Sequence, residues 1–402
     1  MPNSTSFRKE TQSKIFLDYN SVGTIELTRI LQQKSDDEYF DDSEIKKREE
    51  STIVVKFHDS TFHQTVYLKN SNNYSIGRLS KSILVLIGND EEEVKIYAQL
   101  FDTWTSLRVW NHSIPSNNGE NRVKCFCISQ DHIFIATQQN DVHILNFSGH
   151  QIDIFSCRAP ILSIVASAIQ KNEKNLLCVV YEDMNCDVFE YSNWEMRMSY
   201  ETSLPISSAL LWVSFCSSYG ILSCSDVQGP VKIFNPDTRV WYPIYGFKDQ
   251  KIWPININVG KNAIYGIPLE NKISAEPIVD QLNVVKKFAF NSYSMLNNNP
   301  NIMPKELQEA WTAKIVKSAI TSCKGSGEKS MEKSILANLV RAFDALAVAN
   351  EHQAFEIVKL MPNDNAKKIC MKYAQKKGNN ALSDQIADYL SSRLTNPDHF
   401  DN

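Results

Sequence analysis

The chain reads as mainly β with α, a six-bladed β-propeller over residues 14–290 followed by a five-helix bundle over residues 303–394. Three observations predict this. Hairpin-like segments recur at 14–30, 83–97, 132–147, 175–191, 220–234 and 263–279. Equivalent apolar positions in the second strands of the last five fall at Ile96, Ile144, Val188, Ile233 and Ile273, separated by 48, 44, 45 and 40 residues. Beyond an asparagine-rich stretch at 291–301, the apolar period changes from that of a strand to that of a helix. An interval of roughly 40–45 residues holding about four short strands is what one propeller blade requires. Unrelated hairpins in a β-sandwich are the alternative, but they would have no reason to keep so regular an interval.

The elements follow in order. Residues 1–13 lack apolar patterning and read as a disordered N-terminus; they also lack the apolar core of a secretory signal. The first hairpin, KIFLDYNSVGTIELTRI, alternates apolar residues at period two around an Asn-Ser-Val-Gly turn. It is expected to complete a blade with strands near residues 263–290, since closing a ring brings the two ends of the repeat array together. Residues 32–50 are dense in charge, with Asp36, Asp37, Glu38, Asp41, Asp42 and Glu44 before Lys46, Lys47 and Arg48. So little apolar content cannot offset the entropy of ordering, and a mobile, solvated loop is expected, with a phosphate-rich or basic partner as the other use of such charge. Strand patterning resumes in IVVKFHDSTFHQTVYL, residues 53–68.

Residues 291–302 form a polar hinge. Pro304 suits the first turn of a helix running to about residue 323, which Gly325 and Gly327 end. A second helix spans about 328–349 and a third 352–361, stopped by Pro362. Asn363 or Asp364 caps a fourth, ending at Gly378, and a fifth runs 381–394 before a tail at 395–402. In the second helix the polar stripe stops after Arg341, and between 342 and 349 only Asp344 is charged. That half therefore needs cover on more than one side. Leu336, Leu339, Phe343 and Leu346 are expected to face the bundle core, leaving Arg341, Ala345 and Ala349 toward another chain.

The composition places limits on function. The net charge of -4 gives the whole chain no pull toward nucleic acid or acidic lipid. The 9 cysteines are scattered, and only Cys125 and Cys127 lie close together, which suits neither a disulfide framework nor a zinc site. A reducing, intracellular compartment is expected, with no membrane span, metal or cofactor. No nucleotide-binding glycine motif, nucleophile elbow or zinc-protease motif occurs, so no catalytic residues are assigned and a non-enzymatic protein is expected. His58, Asp59 and His63 resemble a ligand cluster. On a strand, however, His58 and His63 point to opposite faces, and structural histidines are the expectation.

The bundle region differs in charge, with 14 Lys and Arg against 10 Asp and Glu over residues 303–394. Lys368, Lys372 and Lys376 share one face of the fourth helix, flanked by Lys367 and Lys377, with Ile369, Cys370, Tyr373 and Ala374 on its apolar side. This is either a solvated lysine face or the basic rim of an apolar groove for a short acidic helix.

Several of these segments together resemble the chromosome-transmission-fidelity replisome adaptors, the SepB family of fungi, whose animal counterpart is the WD-repeat and HMG-box DNA-binding protein. The resemblance rests on IVVKFHDSTFHQ (53–64), ALLWVSFCSSYGILSCSDVQGPVKIF (209–234), APILSIVAS (159–167), EHQAFEIVKLM (351–361) and the five-helix pattern, and it covers roughly 14–394. It implies a nuclear, non-catalytic homotrimer that serves DNA replication and sister-chromatid cohesion. Such a hub links the GINS component of the replicative helicase to the catalytic subunit of DNA polymerase alpha, and to other short-motif clients. In that family the client helix lies on the second and fourth bundle helices. By position this implies a peptide groove of Arg341, Ala345 and Ala349 with Cys370, Met371 and Ala374, rimmed by Lys368, Lys372 and Lys376. The alternative is direct DNA binding by the lysine face. Residues 1–402 show neither the family's N-terminal WD-repeat domain nor an HMG box, as expected of either a fragment or a shortened member, so DNA binding by those domains is not carried over.

Overall fold

The computed structural model of the protein describes residues 11–31, 50–61, 63–101, 108–116, 119–169, 174–192, 195–216, 220–228, 230–246, 251–269, 285–290, 310, 313–314, 317–318, 328–347 and 350–395. Six antiparallel sheets follow one another along the chain and build a six-bladed β-propeller. The first comprises β1 (Thr11–Tyr19), β2 (Gly23–Leu31), β3 (Glu50–Phe57) and β4 (Val66–Lys69). The second comprises β5 (Ile76–Leu79), β6 (Ile83–Asn89), β7 (Glu93–Leu100) and β8 (Arg108–Pro115), and the third β9 (Val123–Ile128), β10 (His132–Thr137), β11 (Asp141–Asn146) and β12 (Gln151–Ser156). The fourth contains β13 (Ile161–Ile169), β14 (Lys174–Tyr181), β15 (Asn185–Ser192) and β16 (Glu195–Ser203). The fifth contains β17 (Leu210–Phe215), β18 (Leu222–Asp226), β19 (Val231–Asn235) and β20 (Val240–Tyr245). The sixth has three strands among the described residues, β21 (Ile252–Asn258), β22 (Ala263–Pro268) and β23 (Lys286–Ala289).

The periodic positions fall where the interval requires. Ile96, Ile144, Val188 and Ile233 each lie on the third strand of their sheet and are buried, opposite Ile87, Phe134, Cys178 and Ser223 on the second strand. Ile273 and the charged segment at 32–49 lie outside the described residues, as do the N-terminal 1–10 and the hinge at 291–302. The expectation that the opening hairpin completes the last blade is corrected. β2 pairs instead with β3, from Gly23 opposite Phe57 to Ile30 opposite Glu50, and β1 to β4 form a sheet of their own. The apolar alternation resuming at Ile53 supplies this third strand, and Ile25, Leu27, Ile53 and Val55 are all buried.

The chain divides into two compact units. One holds residues 1–220, 250–257 and 265–287, and the other holds 221–249, 258–264 and 288–402. In the first, neighbouring sheets share apolar layers. Leu79, Leu84 and Leu86 pack with Ile25 and Val55, and Phe126 and Ile135 pack with Val85 and Ile96. Each such buried side chain contributes about 1.5–3 kcal/mol of hydrophobic stabilisation. A polar latch supplements the first layer. The buried carboxylate of Asp18 accepts from Arg78 Nη1 at 3.0 Å, the Leu79 backbone N–H at 2.9 Å and Asn20 Nδ2 at 2.8 Å. His58 and His63 are structural. The His58 Nε2 pairs with the Asn20 carbonyl at 2.9 Å, and the His63 ring stacks on Phe57 and meets the edge of Phe101.

In the second unit, the described residues between 310 and 318 are helical, and Ala310 and Ala313 are buried. Four helices follow: α1 (Glu328–Leu346), α2 (Glu351–Lys359), α3 (Asp364–Lys376) and α4 (Asn380–Thr395). Asn350 caps α2 through Gln353 N–H at 3.1 Å, and Asn363 caps α3 through Ala366 N–H at 2.8 Å. The shared core joins Leu339, Ala342 and Phe343 of α1 with Ala354, Ile357 and Val358 of α2, Ala366, Cys370 and Ala374 of α3, and Leu382 and Ile386 of α4.

Candidate functional site

The residues expected to form a peptide groove lie on α1 and α3. On α1, Leu339 and Phe343 are buried, and Leu336 and Leu346 lie half-buried against the core. Arg341 and Ala345, one turn apart, are exposed. Ala349 lies outside the described residues. Where α1 meets α3, the Tyr373 hydroxyl donates to the Asp344 carboxylate, and the Tyr373 ring meets Phe343 edge-on with centroids 6.3 Å apart. The ammonium of Lys377 lies 5.3 Å from the centroid of the same ring. The hydrogen bond to Tyr373, then the charge of Asp344, hold that ammonium above the usual lysine range.

The buried stripe of α3 is Ala366, Lys367, Cys370 and Ala374. Cys370 is 1% exposed and Ala374 0%. They lie one turn apart, on the side of the helix that closes the bundle core. Burial pushes the Cys370 thiol up to about 11. Met371, two residues before Tyr373, lies about 160° around the helix from it and packs, half-buried, against the core. The part of α3 beside the Tyr373 contact that remains free is Ile369, Lys372 and Lys376, with Lys368 further round; all four are exposed. Ile369 is 60% exposed, although the sequence pattern places it with the apolar side.

Lys367 has left the basic face. It is 1% exposed, with its Nζ 3.3 Å from the Asp364 carboxylate and 5.4 Å from the centroid of the Tyr389 ring. On α3 the exposed Ile369 and the half-buried Tyr373 share a helix with the exposed Lys368, Lys372 and Lys376, while on α1 Arg341 is exposed and Asp344 is engaged by Tyr373. Such a surface can seat an apolar anchor and complement negative charge around it. Ile369 and Tyr373 were missed as site residues.

Among the described residues no group of three His, Cys, Asp or Glu is arranged to hold a metal, and no helix is long and apolar enough to cross a membrane. The buried thiols of Cys127 and Cys178 are raised by desolvation, which favours the unreactive protonated form.

Residues 1–292 match the family model described as minichromosome loss protein, Mcl1, middle region. Residues 306–396 match that of DNA polymerase alpha-binding protein Ctf4, C-terminal domain, and so include the whole α1–α3 face. The chain is similar to WD repeat and HMG-box DNA-binding protein 1 of Mus musculus, 24% identical over 273 residues that cover 63% of this chain and 22% of that protein. The Homo sapiens protein is 24% identical over 240 residues, covering 55% of this chain and 20% of its own length. The Xenopus laevis protein is 24% identical over 272 residues, covering 63% and 22%. The chain thus spans about a fifth of the length of the curated relatives it matches.

Proposed function

The chain belongs to the family of the minichromosome loss protein Mcl1 and the DNA polymerase alpha-binding protein Ctf4, and on that premise we propose that it is a non-enzymatic scaffold of DNA replication. It works in the nucleus as a homotrimeric hub, in replication and sister-chromatid cohesion. Short amphipathic helices dock on the α1–α3 face, among them segments of the GINS component of the replicative helicase and of the DNA polymerase alpha catalytic subunit. The observation that carries this reading is the exposed Ile369 beside Lys368, Lys372 and Lys376 on α3, with Arg341 exposed on α1, inside the residues that match the C-terminal domain of the DNA polymerase alpha-binding protein Ctf4. Three such faces on one trimer raise the effective concentration of a tethered client, so each face functions at about micromolar affinity or weaker.

The test has two arms. Light scattering of the chain at micromolar concentration gives the mass in solution, and a monomer removes the avidity mechanism. Fluorescence anisotropy measures labelled helical peptides from the polymerase-alpha catalytic subunit and from the GINS component, and failure of both to bind a folded chain sinks the docking reading. A second reading, direct DNA binding, uses the exposed Lys368, Lys372 and Lys376. It requires affinity for any duplex that falls steeply with salt, and loss of that affinity when the three lysines become alanine.

A further inference from the structure

One residue serves three helix ends in the bundle. Asn379 follows Gly378, whose φ of 79° turns the chain out of α3, and its backbone N–H donates to the Ala374 carbonyl at 3.0 Å. Its Oδ1 accepts from the Leu382 backbone N–H at 3.0 Å, which caps α4. Its Nδ2 donates to the Ala347 carbonyl at 2.9 Å, just past the C-terminus of α1. The last carbonyls of a helix have no partner within it. Ala347 is 1% exposed, so solvent is a poor substitute at this end. The asparagine amide supplies a donor to the Ala347 carbonyl, beside the Asn350 backbone N–H that serves the Leu346 carbonyl at 2.8 Å, from a side chain already held by the end of α3 and the start of α4.

We propose that Asn379 is the positioning residue of the α1–α3 face. Its amide fixes the C-terminal turn of α1 against α3, and so sets the placement of Arg341 and Ala345 relative to Ile369 and Lys372. The second tie, from Tyr373 to Asp344, lies one turn back along α1. Without the Asn379 bond the last turn of α1 keeps its core packing and the Asn350–Leu346 bond but loses its tie to the start of α4, which loosens it. The proposal rests on the reading of this face as a peptide site.

Asn379→Ser separates the roles of the residue. Serine caps a helix N-terminus about as well as asparagine and adds no charge, but it has no amide to reach the Ala347 carbonyl. In the full chain, hydrogen exchange read by mass spectrometry should accelerate about fivefold over residues 340–347, the factor that corresponds to one neutral hydrogen bond, with α4 unchanged. Affinity for a fluorescein-labelled helical peptide with one leucine anchor and flanking glutamates should fall by about the same factor. Asn379→Asp also keeps the cap but sets a carboxylate against a carbonyl, and should accelerate exchange at 340–347 further. Wild-type exchange at 340–347 in both variants overturns the proposal. Equal loss of protection in α1 and α4 does so too, since it reduces Asn379 to a cap. If the wild-type chain fails to bind the peptide, the peptide-site reading fails by itself, and the exchange pattern still decides whether Asn379 holds α1.

Discussion

The hydroxyl of Tyr373 donates a hydrogen bond to the carboxylate of Asp344 and so ties α3 to α1. Asp344 is exposed, so the bond works partly in water and is worth less than a buried charge-assisted one. Tyr373→Phe should keep the edge contact with Phe343 and cost about 0.5–1 kcal/mol. A double-mutant cycle with Asp344→Ala should return a coupling of that size, and zero coupling would show that the bond does not hold the helices. The Lys377 ammonium should also move back toward the ordinary lysine range in Tyr373→Phe, because Tyr373 is the first cause of its upward shift.

Exposure separates the two assignments of the α3 surface. Ile369→Glu changes a side chain that is 60% exposed and should alter stability by no more than about 0.5 kcal/mol while abolishing docking of an acidic helix. Ala374→Glu forces a carboxylate into a position that is 0% exposed and should destabilise the bundle by at least about 3 kcal/mol. Calorimetry and anisotropy on the two variants decide it. If Ala374→Glu folds normally and loses only the peptide, position 374 belongs to the groove after all.

The Cys370 thiol gives a pH test of the same point. Burial raises it from 9.0 to about 11. The folded state therefore favours the neutral thiol; this contribution to stability is complete below pH 9.0 and is lost as pH rises through about 11. At pH 8 the folded thiolate fraction is on the order of one in a thousand, against about one in ten for an ordinary thiol. Iodoacetamide should modify Cys370 at least about a hundredfold more slowly than an exposed cysteine, and a bound peptide should not change that rate. Rapid labelling that a peptide blocks would return Cys370 to the docking surface.

What was legible in the sequence was the part governed by period. The blade interval placed Ile96, Ile144, Val188 and Ile233 on matching buried positions, because a strand exposes alternate side chains and a wrong register would bury polar ones. Helix limits followed from caps and breakers, as at Asn363 and Gly378. Pairings between distant segments were less legible. Nothing local shows that β2 pairs with residues 50–57 across the insert, since only the completed sheet satisfies those backbone groups. Within the bundle, the apolar side of α3 is wider than its buried stripe. Cys370 and Ile369 look alike in pattern, and only the packing of α1 against Tyr373 divides the core residue from the surface one.

The last prediction concerns the fourth sheet, where the buried Asp187 carboxylate accepts from the Tyr181 hydroxyl at 2.6 Å and from Arg158 Nη2 at 2.7 Å. The two partners differ in what they can do once the carboxylate is gone. The Arg158 side chain is 50% exposed and can turn its guanidinium to water. Tyr181 is 1% exposed and cannot, so its hydroxyl stays buried with only the weak acceptor Cys157 beside it. Asp187→Ala should therefore cost about 2–3 kcal/mol, most of it the penalty of the orphaned hydroxyl. Tyr181→Phe alone should cost about 1 kcal/mol, since Arg158 still neutralises the carboxylate. The double variant should then cost no more than Asp187→Ala alone, because phenylalanine has no hydroxyl to orphan. Urea denaturation of the three variants measures this, and strictly additive losses would mean that Tyr181 and Asp187 contribute independently of one another.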